Sequence, residues 1–370
     1  MIIDLTYIHQ RCLYLAGFWS ITGSISNMCL SFTPYLIQQG GTWRAFYWFW
    51  LGPCLLTVLA AFFFGPETSF RRPPMAFDGR ILTQTQYGSL TLYSTWDEVP
   101  GGKPDPEIQF VSSLQNIIHQ MKLWHKLQAG GWQGLKAYGH QCILCFLNPL
   151  ILWALLLNTV ITGSMIITCS TSVQVLLAPP YNFSENHIGL VKFSTAIAAF
   201  LAFPCAGFLP NSISKFLTRR NKGIREPEFF LPSFIIPTVV GCSSLALFGL
   251  ATENNWDWRL IVLFVSLDYF SVTVLFVSSV LWVTASFPRW SGPALIVIGA
   301  GGYGVSFGLS LGIVTWMKDE GMAKTYIELS MMIFSVACIG VPVYVWGKVF
   351  REYIYARWGT RHLDLINGNY

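Results

Sequence analysis

The chain carries eight apolar runs, each close to or above the roughly 20 residues that a helix needs to cross a bilayer core of about 30 Å. They lie at about Leu13 to Ile37, Ala45 to Phe64, Ile143 to Leu177, Ile188 to Phe208, Ser233 to Ala251, Leu260 to Ser286, Pro293 to Trp316 and Tyr326 to Trp346. Of the 370 residues 53% are hydrophobic and 11% charged, too few charges to coat a soluble fold of this size. The expected class is an all-α integral membrane protein with about eight transmembrane helices, not a soluble enzyme. Domain boundaries follow the punctuation: residues 1–64 form a two-helix unit, 65–142 a long polar loop, 143–347 a six-helix bundle and 348–370 a tail. Within the loop, about Ser112 to Gln128 reads as an amphipathic surface helix.

Lys and Arg retained on one side of a membrane set its orientation. Of the 23, 18 fall on the side of the long loop and the tail, four on the other (Arg44, Arg259, Lys318, Lys324), and Lys192 inside a span. Both termini are expected to be cytoplasmic, and this one-sided distribution does not suit nucleic-acid binding. No cleavable signal is expected, since Asp4 and His9 follow Met1 without a basic n-region. Asn182-Phe183-Ser184 is a glycosylation sequon on the outer side.

Nine cysteines lie mostly in apolar runs and imply no disulfide framework. Cys142 and Cys145 form a lone C-x-x-C without a second pair, so neither zinc nor thioredoxin-like chemistry is expected. The glycines from Gly299 to Gly312 lack a P-loop lysine and read as close helix packing or a hinge. The spans hold no His and one Asp, which leaves a catalytic constellation, metal site or cofactor without its residues.

A charge inside a span costs about 2.5 to 3.5 kcal/mol on insertion scales and marks function by default. Asp268 lies too deep in the sixth span to reach water. It is read either as a cation or proton carrier or as a structural carboxylate bonded to a neighbouring helix. Lys192, about one turn from a span end, either snorkels outward or pairs with Asp268. Trp153, Asn158, Thr162, Asn148 and Ser164 recur at helical spacing on the third span and line a pathway or bond neighbouring helices. Trp19 and Asn27 in the first span, with Tyr269 and Trp282 in the sixth, are further candidates for the wall of a site.

Several local patterns coincide: His9-Gln10-Arg11, Gly41-Thr42-Trp43-Arg44, Pro66-Glu67-Thr68-Ser69-Phe70-Arg71-Arg72-Pro73, Phe77-Asp78-Gly79-Arg80, Thr218 to Glu228, and Phe287-Pro288-Arg289-Trp290. Together they resemble the fungal major facilitator superfamily (MFS) transporters of the drug:proton antiporter type. The resemblance implies twelve helices in two bundles of six, with small-molecule substrate held midway between them, proton coupling and a plasma-membrane setting. It places the two N-terminal spans as the fifth and sixth helices, so that the first four are expected to be lacking from a shortened chain. It also places a gating loop at Gly207 to Arg220, with Asn211 where the family has an acidic residue and Lys215, Arg219 and Arg220 as its basic partners. Cys12 stands where the family has glycine, and the antiporter's glycine-proline signature is not intact around Gly23 and Pro34. Two readings remain open: a proton-coupled transporter of a small organic molecule, or a non-transporting membrane protein that depends on a partner or a second copy.

Overall fold

The computed structural model describes residues 10–40, 43–64, 81–84, 90–93 and 132–366. Almost all of them are helical: α1 (Arg11–Ser31), α2 (Thr33–Gly40), α3 (Trp43–Phe64), α4 (Trp132–Leu147), α5 (Pro149–Leu177), α6 (Glu185–Arg220), α7 (Ile235–Glu253), α8 (Trp258–Ser286), α9 (Ser291–Ile296), α10 (Gly302–Glu320), α11 (Met322–Cys338) and α12 (Gly340–Ile366). A 3-10 segment, Pro227–Phe234, leads into α7, and a wide π turn, Val297–Gly301, joins α9 to α10. Six of the helical runs are long and apolar enough to cross a membrane. Of the expected eight, the other two are α3, whose apolar stretch is Phe46–Phe62, and α1, which four serines, Thr22 and Asn27 make less apolar.

Local chemistry shifts several expected boundaries. The third span begins at Pro149, not Ile143, because Asn148 ends α4 and caps α5: its side chain accepts from the Leu150 N–H at 3.0 Å, and Pro149 stands at the first helical position. The first span breaks at Phe32, ahead of Pro34. The last breaks at Ile339, where Pro342 has no N–H to offer the Cys338 carbonyl. The segment from Gly207 to Arg220 is not a loop but the last third of α6, which runs unbroken through Pro204 and Pro210. At 36 residues that helix spans roughly 54 Å and outreaches a bilayer core. Inside the segment expected as a loop, Ile81–Gln84 and Leu90–Tyr93 pair as an antiparallel hairpin; the expected helix at 112–128 lies outside the described residues.

The central helix is α8, packed against α5, α6, α7 and α1, while α7 lies along α11 and α10 along α5. Its start is fixed by Asp257, whose carboxylate accepts from the Arg259 N–H at 2.8 Å. The tight turn into α11 needs Gly321, at φ 87°, and Glu253 Oε2 accepts the Ala323 N–H there at 2.8 Å. Helix α1 runs antiparallel along α6 for its whole length. At one end Gly207 faces Leu13 and Ala16, and at the other a Cβ on Gly189 would stand 2.5 Å from the Ser31 carbonyl oxygen. Gly189→Val should therefore part the two helices at that end and cost about 1–3 kcal/mol of stability, read as a lowered thermal midpoint in detergent. An unchanged midpoint would show that α1 does not dock where the structure has it.

Candidate functional site

Three groups of polar residues inside the bundle contain the sequence candidates. The first joins α1 to the bundle. Asn27 Nδ2 donates to the Tyr269 hydroxyl and to the Gly23 carbonyl, both at 2.8 Å, and Thr195 Oγ1 of α6 donates to Asn27 Oδ1 at 3.2 Å. Trp19 packs edge-on against Phe276 of α8, ring centroids 4.7 Å apart. Three of the sequence candidates, Trp19, Asn27 and Tyr269, thus sit on one seam. Asn27 is saturated there, which fixes α1 in register against α6 and α8.

The second group lies inside the bundle, toward the end where α5 starts. Asn158 Nδ2 donates to Ser279 Oγ at 2.9 Å and to the Ala154 carbonyl at 2.7 Å, and Ser306 Oγ of α10 donates to the Thr159 carbonyl at 2.8 Å. Gly302, just after the π turn, lies against Asn158. Thr162 and Ser164 are buried on the same helix; Ser164 Oγ returns to the Ile161 carbonyl at 2.8 Å. Trp282 is buried edge-on to Trp153 at 5.2 Å, its Nε1 without a hydrogen-bond partner, whereas Trp153 Nε1 donates to the Val336 carbonyl at 2.8 Å. Trp153 is therefore turned toward α11, away from the α1 seam.

The third group is ten residues later on α5 and eleven earlier on α8, roughly 15 Å away. Asp268 is 2% exposed and forms no ion pair among the described residues. It faces Thr168 of α5, and the Tyr326 hydroxyl of α11 faces Thr168 and Thr171. All four are buried, and Thr168 Oγ1 and the Tyr326 hydroxyl are enclosed without well-formed hydrogen bonds. Sequence reasoning found Asp268 but missed Thr168, Thr171 and Tyr326, because a hydroxyl in an apolar run carries no signal of its own. Lys192 is half-buried on α6 beside Cys169, which also feels the Asp268 charge, but Lys192 and Asp268 do not form an ion pair.

The residues assigned to a gating loop occupy helical positions. Gly207 packs on α1, Asn211 is partly buried with Oδ1 unpartnered, Lys215 and Arg219 are exposed, and Arg220 lies over the Phe216 ring at 4.5 Å. Two acidic residues beyond that helix are engaged instead. Glu228 pairs with Arg351 of α12 at 3.2 Å, and Glu226 with Lys348 at 2.7 Å. Asn182 is exposed in the turn before α6. In α4, burial pushes the Cys145 thiol up to about 12, well above the ordinary thiol range.

A buried carboxylate midway along a central apolar helix, in a bundle of long apolar helices, is a candidate functional position. No family model and no solved structure matches the chain. Curated proteins do. Protein HOL1 of Saccharomyces cerevisiae is 24% identical over 199 residues, covering 54% of this chain and 34% of HOL1. An uncharacterized MFS-type transporter of Schizosaccharomyces pombe is 20% identical over 378 aligned positions, covering 95% of this chain and 64% of that protein. The chain is thus similar to fungal MFS-type transporters. The MFS transporter cpaT of Aspergillus oryzae adds a shorter match, 32% identical over 120 residues, covering 31% of this chain and 23% of cpaT. The chain spans between about a quarter and two thirds of the length of these relatives.

Proposed function

We propose that the chain carries a small organic molecule across a membrane by proton-coupled alternating access, as an MFS-type secondary transporter rather than an enzyme. The observation that carries this reading is Asp268, an unpaired carboxylate in the middle of the bundle beside two unpartnered hydroxyls. In such a place a proton neutralises the group at little cost, and its gain and loss can be tied to helix movement. The seam of Asn27, Thr195 and Tyr269 offers polar groups, and Trp19 beside it an apolar wall, for a substrate. Lys192, close to that seam, offers a cation to a polar or anionic substrate group. Support for orientation comes from the basic residues at the Arg11 and Arg351 ends, which would place both termini in the cytoplasm, with the plasma membrane as the setting.

The test is flux from liposomes holding the purified chain and an internal pH dye, challenged with a panel of radiolabelled amines, amino acids and aromatic drugs. At least one compound should move and should carry protons with it. Movement without any pH change would remove the proton from the proposal. A folded protein that moves nothing would favour the partner-dependent reading.

A further inference from the structure

The break between α11 and α12 has a structural consequence away from Asp268. Because the helix is interrupted at Ile339, the Val336 carbonyl turns to the Trp153 indole, at 2.8 Å. Gly340 brings the backbone against that ring, where a Cβ would stand 3.1 Å from Trp153 Cζ2. The displaced chain leaves a cleft of about 380 Å³ between α5, the start of α7 and the α11–α12 junction. Its floor includes Trp153 and Phe234, and its lining is almost entirely carbon.

The mouth decides what can enter. Ile235, Val239, Phe334 and Val341 edge it, and each is more than half exposed. All four belong to runs long and apolar enough to lie in the membrane, so the cleft opens sideways to lipid and not to water. At one end stands Tyr344, partly exposed, with Lys348 one turn beyond it. That end provides a polar anchor at the depth where a headgroup would sit, as tyrosine and lysine do at membrane interfaces. We propose that this cleft is a binding site for the acyl chain of a bilayer phospholipid, held tail-inward against Trp153 with its headgroup near Tyr344. The volume falls within the range of small-molecule sites, about 300–1,000 Å³. An occupant there would brace the α11–α12 break, the one place in the last membrane run where the backbone is interrupted.

The experiment uses the whole chain in nanodiscs of phosphatidylcholine that carries a photoactivatable diazirine on its acyl chain, with cross-linked peptides mapped by mass spectrometry. Cross-links should concentrate on Val239, Phe334 and Tyr344, about fivefold above equally exposed positions such as Phe307 and Leu311 of α10. Filling the cleft with Ala337→Phe should remove that excess and leave labelling of α10 unchanged. Val341→Phe, which blocks the mouth without touching the floor, should do the same and covers the case in which the first variant fails to fold. Labelling no higher than on α10, or an excess that survives a folded Ala337→Phe protein, would overturn the proposal. So would labelling of the cleft by a water-soluble aryl azide in place of the lipid probe, which would mark an aqueous path.

Discussion

Arg351→Met is expected to destabilise the bundle by about 3–5 kcal/mol, the usual result of removing one partner from a buried ion pair. The Arg351 and Glu228 side chains are 1% and 6% exposed, and one nitrogen, Nη2, reaches both carboxylate oxygens, at 3.2 and 3.3 Å. Arg351 Nε and Nη1 are enclosed with no partner among the described residues. A pair with such imperfect geometry adds little net stability, but breaking it strands a desolvated charge. The cost should appear in Arg351→Met and in Glu228→Gln alike, while Glu228→Gln combined with Arg351→Met recovers most of it. Lys348 gives the control. Its side chain is 50% exposed and bonded to Glu226 at 2.7 Å, so Lys348→Met should cost no more than about 1 kcal/mol. Thermal midpoints of the four proteins in one detergent measure all of this. Equal small losses for Arg351→Met and Lys348→Met would show that the pair is hydrated in the native protein.

The membrane runs were legible because their signal is additive: some 20 apolar residues outweigh any single exception. Breaks are local and were partly legible too. Asn148-Pro149 is an N-cap followed by a first-turn proline, and Gly340-Val341-Pro342 removes both stiffness and a donor, yet each lies inside an apolar run where hydropathy does not change. The expected loop from Gly207 to Arg220 shows the opposite error. The resemblance placed a gating loop there, but α6 simply continues beyond the apolar zone, where charge is compatible with helix.

Partnerships were not legible at all. That Asn27 meets Tyr269, 242 residues away, depends on the register between α1 and α8, which a one-residue turn of either helix would undo. For the same reason Asp268 and Tyr269, neighbours in sequence, serve different surfaces. About 100° of helical rotation turns one toward α5 and α11 and the other toward α1. Lys192 and Asp268 looked like natural partners on charge alone, but they form no ion pair, although Cys169 neighbours both. Glu228 and Arg351 carried no visible signal of each other, since one precedes a span and the other follows one.

Asp268 gives the largest expected effect on activity, and stability and transport should move in opposite directions there. Asn keeps the shape and one oxygen of the carboxylate but cannot take up or release a proton. Asp268→Asn should leave the thermal midpoint within a few degrees of the parent while proton-coupled flux falls about 10²-fold or more, the lower bound for losing a proton-transferring group. Leu removes the polar group altogether, and a lone buried carboxylate is a cost that a well-packed apolar side chain does not carry. Asp268→Leu should therefore melt no lower than the parent and transport nothing. A carboxylate kept for structure predicts the reverse. In that case Thr168 and Tyr326 would lose a charged neighbour, both substitutions would lower the midpoint, and any loss of flux would track the loss of folded protein. Measuring melting and flux on the same preparations separates the two, because only a residue held for its proton is dispensable to the fold and indispensable to transport.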